Sequence, residues 1–153
     1  MDYRKALDIQ NETHSQVLNK IDLESVLIVE HPDVITLGKR GGVVLEGNHR
    51  DIPIIQTDRG GLATCHNFGQ LVVYPILDLE QFFTDIHKYM RFLEQVVINT
   101  LSHFKIDSGR VEGMTGVWID YSKNKPRKIC AMGVKSSRWV TMHGIGFNIN
   151  SEI

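Results

Sequence analysis

Leu71-Val72-Val73-Tyr74-Pro75-Ile76-Leu77 is apolar throughout, and it gives way to Phe82, Ile86, Tyr89, Met90, Leu93, Val97, Leu101 and Phe104, which recur every three or four positions. The unbroken run is the pattern of a strand covered on both faces, and Pro75, which has no N–H for a ladder, marks an edge or a bulge. The spacing of the second set predicts a long helix over residues 80–104, whose apolar stripe needs a sheet to cover. Upstream, Tyr3, Ala6, Leu7, Gln10, Val17 and Leu18 fall near helical spacing and predict an amphipathic helix over residues 2–18. Val26–Val29 and Val34–Leu37 are short β-branched runs separated by Glu30-His31-Pro32-Asp33, a strand, turn, strand pattern. Gly38 and Gly41-Gly42 end the second run, and Pro53–Thr57 is a further strand candidate.

Downstream, Gly116–Asp120 and Lys128–Met132 flank the turn-like Ser122-Lys123-Asn124-Lys125-Pro126 and predict a β-hairpin. Residues 146–153 alternate apolar and polar in the manner of a strand still in progress, so the domain is expected to continue past them. Helix, strands, long helix, then more strands, without a βαβ rhythm, gives an α+β fold with helices packed on a mostly antiparallel or mixed sheet. With 153 residues, of which 42% are hydrophobic and 23% charged, the chain suits one globular domain over 1–153.

A formal net charge of −1 supplies no field to draw in nucleic acid or an anionic membrane. No apolar run approaches the ~20 residues that span a bilayer, and Met1-Asp2-Tyr3-Arg4-Lys5 lacks the apolar centre of a signal peptide, so the cytoplasm is the expected compartment. Cys65 and Cys130 form no Cys-x-x-Cys pair and the histidines are scattered. Reduced thiols and no metal are therefore expected.

Arg59-Gly60-Gly61-Leu62-Ala63-Thr64-Cys65-His66 joins two glycines, which let backbone amides approach a ligand, to a cation, a hydroxyl and an imidazole. It fits a cradle for a carbonyl or carboxyl group, and equally a glycine turn between strands. His66 fits either a structural ring or an acid–base group. Cys65 beside it invites a nucleophile, but neighbours on a strand point to opposite faces. Lys128 reads as a surface lysine or as a cation holding a nearby thiol as thiolate. His143-Gly144 reads as a turn, a bulge or backbone lining a pocket.

Together these segments are far more specific. The order Glu30-His31-Pro32-Asp33-Val34-Ile35-Thr36-Leu37-Gly38, then Asp58-Arg59-Gly60-Gly61 with Thr64, His66, Gly69 and Gln70, then Tyr74-Pro75-Ile76-Leu77-Asp78-Leu79 resembles the lipoyl(octanoyl) transferase family. Gly116-Val117-Trp118-Ile119, Arg127-Lys128-Ile129-Cys130-Ala131-Met132-Gly133-Val134 and Trp139–Asn148 are similar to that family's remaining blocks. The chain departs from it in three places. His66-Asn67-Phe68-Gly69-Gln70 stands where His-Gly-Pro-Gly-Gln is usual, Cys65 where an aromatic residue is usual, and Cys130 where alanine is usual.

The resemblance implies an α+β fold shared with lipoate- and biotin-protein ligases, and a two-step acyl transfer. Octanoate arrives on acyl carrier protein, passes to an enzyme cysteine, and leaves on a lysine of a lipoyl domain, as in 2-oxoacid dehydrogenases or the glycine cleavage H protein. An acyl-enzyme thioester divides one difficult substitution into two easier ones. Arg59, Gly60, Gly61, Leu62, Ala63, Thr64, Cys65 and His66 resemble the family's substrate-binding loop. Ala131, Met132, Gly133, Gly144, Ile145 and Gly146 resemble its other substrate contacts, and Lys128 matches the lysine that lowers the pKa of the nucleophile. By the same pattern the nucleophile lies in a Pro-Cys-Gly-like segment after the Gly144 block, beyond Ile153. The resemblance implies no cofactor. Lys39, Arg40, Lys128, Lys135 and Arg138 offer a basic landing surface for acidic carriers. Two other readings stand beside the transferase: an ATP-dependent lipoate or biotin ligase on the related fold, which needs no cysteine, and a non-catalytic protein that binds acyl chains or lipoyl domains.

Overall fold

The computed structural model describes residues 1–41 and 51–151. Gly42, expected to help end the second apolar run, lies outside them. The chain forms two compact units, Met1–Thr84 with Gly133–Ile153, and Asp85–Met132.

The first unit opens with α1 (Tyr3–Leu18), whose Asp2 side chain accepts from the Lys5 amide as an N-cap. Strands β1 (Ser25–Val29), β2 (Val34–Leu37), β3 (Ile54–Gln56), β4 (Ala63–His66) and β5 (Gln70–Ile76) come next. The first two apolar runs are both strands, but they join different sheets. β2 pairs with β3 in parallel and with β4 antiparallel, a mixed three-stranded sheet. β1 pairs antiparallel with β5. Helix α1 is wedged between these sheets: Tyr3 and Leu7 pack on Val34 and Ile55, Ala6 on Val72 and Tyr74, and Val17 on Ile76 and Val140. Its helical spacing thus feeds three buried clusters, two of them shared with alternate residues of β5.

β5 also pairs antiparallel with the unit's last strand, so it is internal and Pro75 is not at an edge. The proline is tolerated because the register with that last strand ends at Val73↔Ile145, and beyond it the Pro75 carbonyl accepts from the Thr141 hydroxyl.

The second unit is built on α2 (Ile86–His103), shorter than the expected helix over 80–104. Asp78 caps a separate 3-10 turn at Leu79–Gln81, and Asp85 caps α2 by accepting from the His87 and Lys88 amides. Phe82 falls in the break and is exposed. Tyr89, Leu93, Val97 and Leu101 form the buried stripe. Strands β6 (Gly109–Val111) and β7 (Met114–Ile119) pair antiparallel, and β7 pairs with β8 (Arg127–Ser137) in the expected hairpin.

β8 begins in the second unit and ends in the first, where a two-residue turn leads to β9 (Val140–Asn148). Arg138 and Trp139 in that turn both have positive φ, 47° and 66°, as a tight hairpin matched to strand twist requires. β9 stops at Asn148, short of the strand pattern expected over 146–153, whose last two residues, Glu152 and Ile153, lie outside the described residues. Ile149 and Asn150 instead turn back to donate to the Gly69 carbonyl.

Candidate functional site

The Arg59-Gly60-Gly61 loop is tied on two sides within the first unit. Its carbonyls accept from backbone amides just past the end of β2: Lys39 N to Arg59 O at 2.9 Å and Arg40 N to Gly61 O at 3.2 Å. On the other side the Gly60 amide donates to Val134 O at 2.9 Å. Two glycines permit this close approach. A Cβ on Gly38 would lie 2.4 Å from Gly61 O, and one on Gly133 would lie 2.8 Å from Gly60 O.

Arg59 turns inward and is only 6% exposed. One guanidinium nitrogen donates to the Thr36 carbonyl and hydroxyl, both at 2.9 Å, and the other to Gly60 O at 3.0 Å. Burial lowers its pKa. No carboxylate pairs with it among the described residues, so a buried cation sits among neutral acceptors beside backbone that glycines keep open.

Next to the loop, His66 is buried while Leu62, Ala63 and Cys65 are exposed, which confirms that Cys65 and His66 face opposite ways. Gln70 donates to Asn148 Oδ1 at 2.8 Å and to Cys65 O, which fixes its amide and leaves its oxygen to accept from His66 Nδ1–H at 2.6 Å. Burial pushes the imidazole down to about 4, with His31 and Arg59 adding to the shift and the Gln70 bond opposing it. His66 is therefore neutral near pH 7, with Nε2 as its basic nitrogen. Tyr3 stacks on it at 5.8 Å and His31 lies edge-on at 5.7 Å. His31 donates from Nδ1 to Met1 O and accepts at Nε2 from the Tyr74 hydroxyl. Burial raises both phenols, Tyr3 to about 12, so neither carries charge near pH 7.

The third element is Asp58, the residue before Arg59. One of its oxygens accepts from His143 Nε2 at 2.8 Å and the other from the Lys135 ammonium at 2.5 Å. Partial burial pushes this carboxyl up, but the Lys135 and His143 hydrogen bonds outweigh it and hold it at about 2. His143 lies within β9 with a positive φ of 60°, and its amide donates to Gln10 Oε1 from α1. Burial keeps this imidazole neutral despite Asp58, because desolvation outweighs the attraction of a half-exposed carboxylate.

Thus the first unit assembles Arg59, Gly60, Gly61 and His66 with Gly133, and sets Gly144 and Gly146 on β9 against β5 and Gln70. Thr64 and Ile145 are half-buried on β4 and β9. Lys128, Ala131 and Met132 belong to the second unit, on the strand that carries Gly133. There the Lys128 ammonium lies 4.6 Å from the centroid of the Trp118 ring. Lys135, expected in a basic landing surface, is held by Asp58.

Both cysteines are free. Cys130 is buried, and desolvation followed by Glu94 pushes its thiol far up, with Lys128 opposing. Cys65 is raised by partial burial and Asp33. Neither environment favours a thiolate. Among the described residues no cluster of three or more His, Cys, Asp or Glu side chains could hold a metal. The sequence reading missed the long-range roles of Gln10, Asp58, Tyr3, His31 and Trp118. Asp58, His31 and Trp118 lie in blocks already quoted and Tyr3 and Gln10 on the α1 stripe, but their long-range partners carried no local signal.

Residues 2–153 match the lipoyl protein ligase A/B catalytic domain. Proteins named octanoyltransferase resemble the chain over nearly its whole length. That of Cytophaga hutchinsonii is 43% identical across 100% of the chain and 71% of its own length. That of Flavobacterium johnsoniae is 44% identical across 99% of the chain and 73% of its own. Among solved structures, P. falciparum LipL1 in complex with lipoate superposes with a TM-score of 0.73 at 16% identity, over 99% of this chain and 46% of that one. That likeness establishes the shared α+β fold. The chain belongs to the lipoyl protein ligase A/B catalytic-domain family, and within it to the octanoyltransferases.

Proposed function

We propose that the protein transfers octanoyl groups from acyl carrier protein to a lysine of lipoyl domains in lipoate-dependent enzymes, through a cysteine acyl-enzyme. The observation that carries this reading is the 43% identity with an octanoyltransferase across 100% of the chain, a span that includes the Arg59-Gly60-Gly61 loop and the Gly133 that it packs on. In the first step a thiolate attacks the carrier thioester, forming the enzyme thioester as the carrier leaves as its thiolate. In the second the lipoyl-domain amine attacks the new thioester, loses a proton, forms an amide and frees the enzyme thiol.

The loop that starts at Arg59 and runs to His66, with Ala131–Gly133 and Gly144–Gly146, holds the acyl carbonyl and chain. Each buried methylene contributes ~0.8 kcal/mol. Lys128 supplies a positive charge that favours the thiolate. Cys65 and Cys130 are poor nucleophiles where they stand, and the family resemblance assigns the reactive thiol to neither of them. The reaction is that of a cytoplasmic enzyme, and no helix among the described residues is long and apolar enough to cross a membrane.

The test is intact-mass analysis of the protein and of a lipoyl domain after incubation with octanoyl-acyl carrier protein. The expected result is a hydroxylamine-labile octanoyl adduct on the protein and a stable one on the lipoyl-domain lysine. Lipoate- or biotin-dependent pyrophosphate release from ATP without carrier-dependent transfer would replace this reading with the ligase. Acyl binding with neither activity would leave only a binding protein.

A further inference from the structure

Lys128 and Trp118 are cross-strand partners in the β7–β8 hairpin, and the hairpin is shaped around their contact. The lysine stem runs past Gly116, where a Cβ would lie 3.4 Å from Lys128 Cε and 3.5 Å from Cδ. The β7–β8 register shifts between Val117 and Trp118. Trp118 is 9% exposed and its indole N–H donates to Met114 O, so the ring has a fixed orientation. The ammonium ends 4.6 Å from the ring centroid, within the ~6 Å over which an indole face attracts a cation.

We propose that Trp118 is a positioning residue for Lys128, its ring face holding the ammonium charged and in place at a partly desolvated point on β8. The inference rests on the reading in which Lys128 favours a thiolate, because only a protonated lysine can do so. Lys128 is exposed on β8, and the desolvation it does undergo lowers its pKa, with Cys130, two residues along β8, opposing that shift. Several charged groups of the hairpin and its helix pair with one another. Arg127 and Lys123 pair with Asp120, and Glu94 of α2 pairs with Arg91 and Arg110. The indole quadrupole offsets part of the desolvation without introducing an anion, which would bind the ammonium and compete with a thiolate for it. A carboxylate at position 118 would keep the lysine charged and cancel its field.

The test is an NMR titration of the lysine side chains in the 153-residue chain, with Lys128 assigned by Lys128→Arg, for the parent protein, Trp118→Phe and Trp118→Leu. Backbone amide spectra confirm that each variant is folded. The expected order of midpoints is Trp above Phe above Leu. Below the midpoint the neutral-amine fraction, read as the rate of Lys128 acetylation by acetic anhydride, should rise about two- to five-fold in Trp118→Leu, the worth of a partly exposed cation–π contact. Identical midpoints in all three proteins, or equal shifts in the Phe and Leu variants, would overturn the proposal, the latter because packing volume rather than the ring face would then be responsible. Should Trp118→Leu not fold, the Phe midpoint decides, and no fall from the parent would overturn it. The thiolate reading fails separately, if Lys128→Ala leaves octanoyl transfer intact while the midpoint order holds.

Discussion

Asp58 and His143 lie 85 positions apart and meet through a 2.8 Å hydrogen bond, while the second Asp58 oxygen faces Lys135. One carboxylate thus ties the start of the Arg59-Gly60-Gly61 loop to β8 and β9.

With Asp58 held at about 2 against an ordinary 3.8, the folded state gives up this proton more readily than the unfolded chain. The resulting stability is fully present above pH ~4 and is lost as pH falls through about 2. Because the side chain is 48% exposed, solvent screening reduces the contribution to about 1 kcal/mol. Asp58→Asn should cost about that much at pH 7 and little at pH 2, measured by urea unfolding. An equal penalty at both pH values would sink the electrostatic account.

His66 gives an acid-side dependence of different origin. Its folded value of about 4 lies below the ordinary 6.5, so between those values the unfolded chain binds a proton that the folded chain refuses. Stability conferred by the neutral ring is complete above pH ~6.5, declines as pH falls, and levels off below about 4, a loss on the order of 3 kcal/mol. His14, His31 and His143 are also lowered by burial and add in the same direction. Replacing His66 with Gln should flatten the fall in unfolding free energy between pH 6.5 and 4. A slope identical to that of the parent would show that His66 is already charged in the fold.

Most elements were legible because one signal, apolar periodicity, sets them. Tyr3, Ala6 and Val17 on α1 and Tyr89, Leu93 and Val97 on α2 are buried as their spacing predicts. The start of α2 was misread because Phe82 continues the apolar rhythm although it is exposed, while the deciding signal is Asp85, a cap that hydrophobicity does not register. The loop glycines and His66 formed a local motif. The partners Gln10 to His143 and Asp58 to Lys135 depend on strand register across separations of 133 and 77 residues, which periodicity does not encode. Glu94 was passed over for the opposite reason, a carboxylate in the middle of an apolar stripe.

That carboxylate is 0% exposed and accepts from Arg91 at 2.8 Å, Arg110 at 2.7 Å and the Gly116 amide at 3.0 Å, so it fastens α2 to the hairpins it packs on. Removing Glu94 frees two partly exposed arginines to water but leaves the buried Gly116 amide without its acceptor, at about 1–3 kcal/mol. Glu94→Ala should show a loss of that order in chemical denaturation, and Glu94→Gln, which keeps an acceptor, a smaller one. A loss below about 1 kcal/mol for the alanine variant would mean that water replaces the carboxylate without cost.

Gly38 gives the most direct test of the loop's geometry. A Cβ there would meet Gly61 O at 2.4 Å and Arg59 Nη1 at 2.9 Å, the first of these being backbone that cannot swing aside. Gly38→Ala must therefore push the Arg59-Gly60-Gly61 segment away from β2, at a cost of about 1–3 kcal/mol in stability. If the loop holds the acyl group, transfer should fall by more than the loss of folded protein explains, since a displacement of about 1 Å can cost ~100-fold in rate. Gly41 provides the control: it has φ 68° but nothing within 4 Å of a Cβ, so Gly41→Ala imposes backbone strain without moving the loop. Comparing the activity per folded molecule of the two variants separates the effects. Equal activity in both would remove the loop's exact placement from the catalytic requirements.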